Sequence, residues 1–449
     1  MTTTATLEEG ASAATAYAED FEHFTAEHRG EPAFLSSLRH AAFDRFVALG
    51  FPTTDQEDWR FTNVAPIARG RFHRAAGLPK VSAEAVRQHF HPDSHRLVFL
   101  DGVFAPEFSE LSALPSGVRV QSFGEVLRTE PGRLEGVFAR HARFEEHPFV
   151  ALSTAFASDG AVVEMARGAL LEKPLQLLYL GTASETVRVS YPRNLVRAGE
   201  ASQLTLIETY ASLAERASWS APVTEIWTGS GAVVDHYKLQ KESTAAFHTA
   251  TLQFYQERSS NLFSHSISVG GALVRNDVNA VLDGEGAECT LNGLYVLRGS
   301  QFLDNHMRVD HSKPHCSSFE LFKGILDEKA RAVFNGRIFV AKGAQKTDAK
   351  QSSRNLLLSR QALVNANPQL EIFADDVKCT HGSTVGQLDE EAIFYLRSRG
   401  IGEDAARSLL IYAFAADIVE RLKPEALRHE VEEFLFHRLP KGEVVRQAV

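Results

Sequence analysis

The sequence predicts a mainly β protein with a helical region at each end. Between about Leu97 and Val385, short runs of alternating apolar and polar residues are separated by Gly, Asn and Asp, a pattern typical of strands and turns. On either side of this region, apolar residues recur at spacings of three and four, which is typical of amphipathic helices. We therefore expect an N-terminal helical region over residues 1–90, a β core over 91–385 and a C-terminal helical region over 386–449.

The first predicted helix starts near Glu31 and carries apolar residues spaced to share one face: Leu35, Leu38, Ala42, Phe46 and Leu49. Gly50 and Pro52 end it. The aromatic residues Trp59 and Phe61 follow, and we expect both to be anchors packed beneath the core. A helix is also expected near Glu125–His141, inside the region of strands.

The strand pattern is clear in the run VVDHYKLQ. One strand face carries Val233, Tyr237 and Leu239, and the other carries Val234, His236, Lys238 and Gln240. Many short strands of this kind fit a sandwich, a barrel or a solenoid of stacked coils. The sequence has no strict internal repeat length, so the pattern leaves these architectures open.

After residue 386 the helical pattern returns in three segments. The first begins with acidic residues that complement the helix dipole, and Ile393 and Leu396 follow on its inward side. The second carries an apolar stripe of Ala406, Leu409, Leu410 and Ala413, and the third one of Leu427, Val431, Phe434 and Leu435. Such a small bundle can bury its own stripes and keep one face for a partner.

The composition excludes several classes of protein. The 449 residues include 47 basic and 57 acidic side chains, a formal charge of −10, which argues against nucleic acid as the main partner. Three cysteines suit a reducing compartment, and the polar N-terminus lacks the apolar segment of a signal peptide. No apolar run reaches the roughly 18 residues that span a bilayer, so we expect a cytoplasmic protein with no membrane partner.

Several catalytic and binding motifs are absent from the sequence. It contains no GxxxxGK[ST], CxxC, HExxH or GxSxG, and no GxGxxG between a strand and a helix. Any ATP-driven step must therefore come from a partner. A stable iron–sulfur cluster normally takes four cysteines, so no stably bound cofactor is expected. These absences favour a protein that is not an enzyme.

The strongest candidates for chemistry are Cys379 and His381, in the run KCTHG. Both residue types ligate iron, and positions i and i+2 of a strand point to the same face. Together they supply half of a tetrahedral shell, which suggests a site completed by another chain. The alternative is a buried structural cysteine beside a hydrogen-bonded histidine.

Two other groups of metal-binding residue types are interpreted as structural. One lies in the run DNHMRVDHSKPHCSS and consists of Asp304, His306, Asp310, His311, His315 and Cys316. This run is expected to be a strand and a proline turn, whose polar side chains bond to the backbone. Cys289 lies on an apolar strand face with Leu291 and Tyr295, so it is expected in the core.

The stretch from Phe334 to Ile401, which contains KCTHG, resembles SufD proteins of the SufB/SufD family, subunits of the Suf machinery that assembles iron–sulfur clusters. The N-terminal run DWRFTN fits the same family. SufB proteins carry a Glu-His-Glu-Ala-Thr run in place of Val377–Gly382, and an essential cysteine near a stretch that here corresponds to Asn355–Ser359 and has none. The chain is therefore similar to SufD. The resemblance implies a right-handed parallel β-helix core.

The resemblance also implies partners and site residues. In SufD proteins the histidine that corresponds to His381 lies at the interface with SufB, where a transient iron–sulfur cluster forms, and Cys379 is the second candidate ligand. SufB would pair through the terminal strands of both proteins, and a homodimer would replace this pairing when SufB is absent. The SufC ATPase would dock on the C-terminal helices, where we expect the contact residues Tyr395, Leu396, Leu409 and Leu410.

Two other functions remain as alternatives. A solenoid carbohydrate-active enzyme would need a pair of carboxylates along an exposed strand face. A purely structural subunit would bind SufB and SufC without contributing a cluster ligand.

Overall fold

The computed structural model describes residues 17–448. It confirms a mainly β protein whose core is a parallel β-solenoid with helices at both ends. The strands are β1 His95–Leu100, β2 Val103–Phe104, β3 Val118–Ser122, β4 Ala161–Met165, β5 Leu175–Gly181, β6 Arg188–Ser190, β7 Arg193–Ala198, β8 Gln203–Ser212, β9 Ser218–Ser220, β10 Val223–Thr228, β11 Val233–Lys241, β12 Phe247–Gln256, β13 Asn261–Ser268, β14 Leu273–Leu282, β15 Glu288–Leu297, β16 Phe302–His311, β17 Ser317–Leu326, β18 Arg331–Val340, β19 Asp348–Leu357, β20 Leu363–Ile372 and β21 Lys378–Gly386.

Helices flank the strands and also interrupt them in the first half of the chain. They are α1 Ala18–Glu27, α2 Ala33–Leu49, α3 Ala65–Ala68, α4 Ala83–Arg87, α5 Phe123–Thr129, α6 Pro148–Phe156, α7 Glu390–Ser398, α8 Glu403–Val419, α9 Glu425–Arg438 and α10 Gly442–Ala448. The predicted stops of the first long helix are confirmed, because α2 ends at Leu49 and Gly50 caps it.

The solenoid consists of two long sheets that face each other. Sheet B has ten strands in the order β2-β1-β5-β8-β11-β13-β15-β17-β19-β21, and sheet A follows the order β20-β18-β16-β14-β12-β10-β7-β4-β3 with β6 and β9 at its side. From β10 onward the chain alternates between the sheets, so each coil adds one parallel strand to each. A coil varies in length, since Phe247 pairs with Leu273 and Arg331 pairs with Leu363. This variation explains why no strict repeat is visible in the sequence.

From β5 to β15, most strand residues are buried on both faces. The inner faces of the two sheets enclose a long apolar core that extends from Leu97 to Phe334. On the outside of sheet B, Tyr237 and Leu239 pack with Ile411 of the C-terminal helices. On the outside of sheet A, the N-terminal helices pack around Trp219. Strands in this part of the solenoid therefore have little free surface, whereas the outer faces of β16 and β19 carry exposed residues such as Arg308 and Lys350.

Three details differ from the sequence predictions. The helix expected over Glu125–His141 ends at Thr129 and is followed only by a 3₁₀ turn, because Pro131 lacks the N–H that would continue it. Phe61 is 45% exposed and is no core anchor. The buried face of α8 includes Ile411, Tyr412 and Ala415, whereas Ala413 is exposed. Ala406 is buried as predicted, and Leu409 and Leu410 are half-buried, so Ala413 is the residue of the predicted stripe that is wrong.

Trp59 anchors the N-terminal segment on sheet A, as predicted. It is 6% exposed, and the guanidinium of Arg275 lies 3.8 Å from its ring centroid. Arg275 also donates to the backbone oxygen of Asp58 at 2.8 Å and to Oδ2 of Asp304 at 2.6 Å. Thr62 donates to the same Asp304 oxygen. A buried cation thus joins the segment around Trp59 to two neighbouring strands.

We expect Trp59→Ala to lower the free energy of unfolding by about 3–5 kcal/mol, because it empties a packed site and removes the ring that faces Arg275. Phe61→Ala, two positions away, removes an exposed aromatic side chain and should change it by less than about 0.5 kcal/mol. Urea unfolding followed by far-ultraviolet circular dichroism measures both. Equal effects of the two substitutions would contradict the assignment of Trp59 as the anchor.

Candidate functional site

The two ends of the solenoid differ in how their edges are closed. At the first end, the short strands β2 and β3 pair antiparallel with their neighbours. At the last end, β20 and β21 are ten and nine residues long, and each is the outermost strand of its sheet. Their outward backbone N–H and C=O groups face no further strand among residues 17–448. A long unpaired edge is a ready surface for another chain.

The last end also exposes large apolar side chains. Phe373 is 60% exposed and stacks obliquely on Phe339, with 5.6 Å between the ring centroids. Further exposed apolar side chains are Leu363 and Ile372 on β20 and Val385 on β21. Unpaired backbone groups and exposed apolar side chains therefore lie together at this end, a combination common at interaction surfaces.

Cys379 and His381 both lie on β21, the edge strand of sheet B. Cys379 is in register with Ala349, and His381 is in register with Gln351. Ala349 and Gln351 face the solenoid interior, so Cys379 and His381 lie on the inward side of the same strand, as their spacing predicted. No further coil covers them, so His381 is exposed and Cys379 is half-buried.

The environment of Cys379 keeps its thiol protonated. Partial burial raises its pKa, and the carboxylate of Asp348 adds to this effect, while a backbone hydrogen bond from Ala349 opposes it. Its side chain packs against the cluster formed by Ile338 and Val340. Since the thiolate is the form that binds metal, Cys379 needs a nearby cation or metal to become a ligand.

A column of polar side chains runs inward from His381. Gln351 is the partner of His381 on β19, and Glu320 is the partner of Gln351 on β17. The Gln351 Nε2 donates to Glu320 Oε2 at 2.8 Å, and both residues are buried. Burial raises the pKa of Glu320 to about 7, although the bond from Gln351 opposes this shift. A buried carboxyl that titrates near neutral pH therefore lies two strands from His381.

A second buried polar cluster lies midway along the solenoid, and the sequence pattern did not reveal it. The inward faces of β8, β11 and β14 bring together Glu208, His236 and Asn276 with Lys238. His236 contacts Glu208 at 3.3 Å, and Lys238 Nζ donates to Asn276 Oδ1 at 2.5 Å. Burial lowers the pKa of Lys238 to about 8. The alternation in VVDHYKLQ placed His236 and Lys238 on one face of the strand, but did not show that this face is the inner one.

Several residues of the DNHMRVDHSKPHCSS run have a side-chain partner within the fold. His311 Nε2 lies 2.9 Å from Ser318 Oγ, and the Cys316 thiol donates to the carbonyl of Gly284 at 3.2 Å. Asp304 belongs to the group around Arg275. Cys289 is fully buried in the apolar core, as predicted. Within residues 17–448, no three His, Cys, Asp or Glu side chains are placed to hold a metal ion together.

The four residues expected to contact an ATPase partner lie in different environments. Tyr395 is 56% exposed on α7, beside Phe394 at 73%. Leu396 and Leu410 are half-buried, and Leu409 packs against the apolar cluster that joins the helices to sheet B. The side chain of Asp389 caps α7 by accepting the backbone N–H of Glu391 at 2.9 Å. Among the four predicted contact residues, Tyr395 is therefore the exposed one, and it lies beside the exposed Phe394 on α7.

Family models match nearly the whole chain. Residues 179–414 match the SufBD core domain of the SUF system for iron–sulfur cluster assembly, and residues 12–177 match the SufBD protein N-terminal region. The chain belongs to the SufBD family. The resemblance inferred from the run KCTHG is thereby confirmed.

Similar proteins of the SufBD family come from several bacteria. The iron–sulfur cluster assembly protein SufD of Escherichia coli is 34% identical over 423 residues, which cover 94% of this chain and 96% of that protein. A SufBD family protein of Synechocystis is 33% identical, with 89% and 90% covered. The SufD protein of Bacillus subtilis is 26% identical, with 92% and 95% covered. In the part of the chain that the structure describes, no helix is long and apolar enough to cross a membrane.

The raised pKa of Glu320 makes stability depend on pH. An unfolded glutamate ionises near pH 4.3, whereas the folded group ionises near pH 7, so the cost of burying its charge develops between these values and is fully present above pH 7. Glu320→Gln removes that charge. We compare the free energy of unfolding of this variant with that of wild type. As the pH rises from 5 to 8, we expect the difference to shift by about 2 kcal/mol in favour of the variant. Thermal unfolding at both pH values measures this change.

Glu288→Gln provides the matched control, because Glu288 is an exposed glutamate on the solenoid strand β15. Its stability relative to wild type should not change with pH. The same pH profile for both variants would show that the Glu320 carboxyl is not the source.

Proposed function

We propose that this chain is the SufD-type subunit of a complex with SufB and SufC that assembles iron–sulfur clusters. It would act as a scaffold and not as an enzyme, and it would work in the cytoplasm. The family membership and the similarity to SufD of Escherichia coli along 94% of the chain support this proposal. The observation that carries it is the open end of the solenoid, where an unpaired strand edge presents a cysteine and a histidine together.

SufB is the proposed occupant of this end. A partner strand on β20 or β21 would satisfy the unpaired backbone groups and cover Phe373 and its apolar neighbours. When SufB is absent, a second copy of this chain can use the same edge, which gives a homodimer. Both associations use the same surface and therefore exclude each other.

His381 and Cys379 would take part in cluster formation as half of a shared site. The cluster is cargo that passes through the complex, so no cofactor is held stably. The His381 imidazole is exposed and can bind iron through a neutral nitrogen. Cys379 is a weaker candidate in the isolated chain, because its raised pKa keeps the thiol protonated. SufB would supply the remaining ligands.

The C-terminal helices would carry SufC. Apolar residues of α8 and α9 pack on sheet B, while Phe394 and Tyr395 remain exposed on α7. Large exposed aromatic residues are common anchors at protein interfaces. ATP-driven movement of SufC would thus be transmitted through the bundle to the solenoid.

The structure offers less support for a carbohydrate-active enzyme. Such an enzyme needs a pair of free carboxylates on one exposed strand face. On the outside of sheet A, Asp310 pairs with Arg308 at 2.8 Å and Glu371 pairs with Arg337 at 3.4 Å. These carboxylates are bound by arginines, as in a surface ion-pair network.

We expect His381→Ala to lower the cluster yield of the reconstituted complex with SufB and SufC by about tenfold or more, because a ligand is lost. Absorption of the assembled cluster measures the yield. His23→Ala, which removes an exposed histidine from α1 at the other side of the molecule, should leave it unchanged. If His381→Ala forms the full complex and assembles clusters normally, the chain is a purely structural subunit.

We expect Tyr395→Asp to abolish co-purification with SufC, because it places a charge in the aromatic contact. The matched control is Phe61→Asp, which charges another exposed aromatic position at a distant surface. Circular dichroism should show both variants folded. SufC that still co-purifies with Tyr395→Asp would rule out α7 as the docking helix.

A further inference from the structure

We propose that Gln351, held in place by Glu320, is a positioning residue for His381. Its free carboxamide oxygen accepts the N–H of the His381 ring, which directs the other ring nitrogen to the cluster site shared with the partner. This inference rests on the proposed function and concerns how this chain prepares its own ligand.

The three residues form a column across three strands. Glu320, Gln351 and His381 are consecutive register partners on β17, β19 and β21. Neighbouring strands lie about 4.8 Å apart, and register partners on parallel strands project to the same side. A glutamine side chain is long enough to span this separation, so Gln351, which contacts Glu320 on one side, can extend to His381 on the other.

Gln351 has a fixed orientation. Its Nε2 donates to Glu320 Oε2 at 2.8 Å, and the side chain crosses the interior to Gly336 on sheet A. A Cβ at position 336 would lie 2.3 Å from Gln351 Nε2, so only glycine leaves space for this arrangement. The bond to Glu320 commits the amide nitrogen and leaves the amide oxygen for another donor.

That oxygen is an unsatisfied buried acceptor. Gln351 Oε1 has no hydrogen-bond partner among the described residues, and a buried acceptor without a partner is destabilising. Such an oxygen remains free to accept a hydrogen bond from a donor that approaches it. The next position in the column is His381, which is exposed and whose ring makes no hydrogen bond to residues 17–448. An acceptor and a donor that both lack a partner are therefore neighbours.

A partner at the open end would bring them together. In the isolated chain, water competes for the exposed imidazole. A chain that covers β21 excludes this water, and hydrogen bonds inside a protein are then stronger. A histidine that binds metal through one nitrogen generally donates its other N–H to an acceptor, and loss of that acceptor typically weakens metal binding or activity about 10–100-fold. Gln351 Oε1 supplies such an acceptor without adding a charge.

The test compares wild type with single and double variants of Gln351 and His381 in the complex with SufB and SufC. We expect Gln351→Met, which keeps the volume but removes both polar atoms, to lower cluster yield about 10–100-fold. Gln351→Glu keeps an acceptor oxygen and shares a proton with Glu320, so it should restore most of the yield. In the His381→Ala background, Gln351→Met should have no additional effect, because the two residues act through one ligand.

The chain offers a matched control in Gln256, another fully buried glutamine whose Oε1 has no partner. It lies on β12, far from β21, and Gln256→Met should leave the yield near wild type. The inference is overturned if Gln351→Met affects the yield no more than Gln256→Met, or lowers it further in the His381→Ala background. If His381→Ala itself has no effect, the proposed role of His381 in cluster formation fails, and this inference fails with it.

If Gln351→Met is too unstable to assay, a second variant still tests the role of Gln351. Gln351→Asn keeps the amide, but it is one methylene too short to contact Glu320 and His381 at once. We expect the same loss of yield with a thermal midpoint near that of wild type. A folded Gln351→Asn with normal yield would overturn the role of Gln351.

Discussion

Hydrogen bonding between parallel strands in register is the interaction on which the rest of this structure depends. Each coil satisfies the backbone of the coil before it and presents new unpaired groups to the next. At the first end of the solenoid, the short antiparallel strands β2 and β3 pair with the backbone groups of the outer strands. At the last end no such strand follows within residues 17–448, because β20 and β21 terminate two long sheets. The open end therefore follows from the stacking of coils, because the last coil has no further coil to pair with its backbone among the described residues.

The same stacking gives residues that are distant in sequence a common position. Glu320, Gln351 and His381 are separated by about one coil each, and register places them in one column. The lengths of the coils differ, so no fixed spacing in the sequence marks this column. A side chain that looks isolated in its own strand can therefore belong to a continuous polar group across several strands.

Burial of both strand faces explains where sequence reasoning was limited. In a sheet with one wet face, alternation identifies the inner side, because the polar residues face water. Here the C-terminal helices cover Tyr237 and Leu239 on the outside, while His236 and Lys238 point into the core and are satisfied by Glu208 and Asn276. Alternation separated the two sets correctly, but gave no means of telling which set lies inside.

The sequence by itself determined the class of the protein, its helical ends and its membership of the SufBD family. It also determined that Cys379 and His381 lie on the same strand face. These conclusions rest on local spacing and on one long motif, which are properties of contiguous residues. Only the tertiary structure decided that β21 is an edge, that Phe61 is exposed while Trp59 is buried, and that Gln351 and Glu320 lie behind His381. Strand order, burial and register depend on contacts between residues far apart in the chain, and a linear pattern does not encode those contacts one residue at a time.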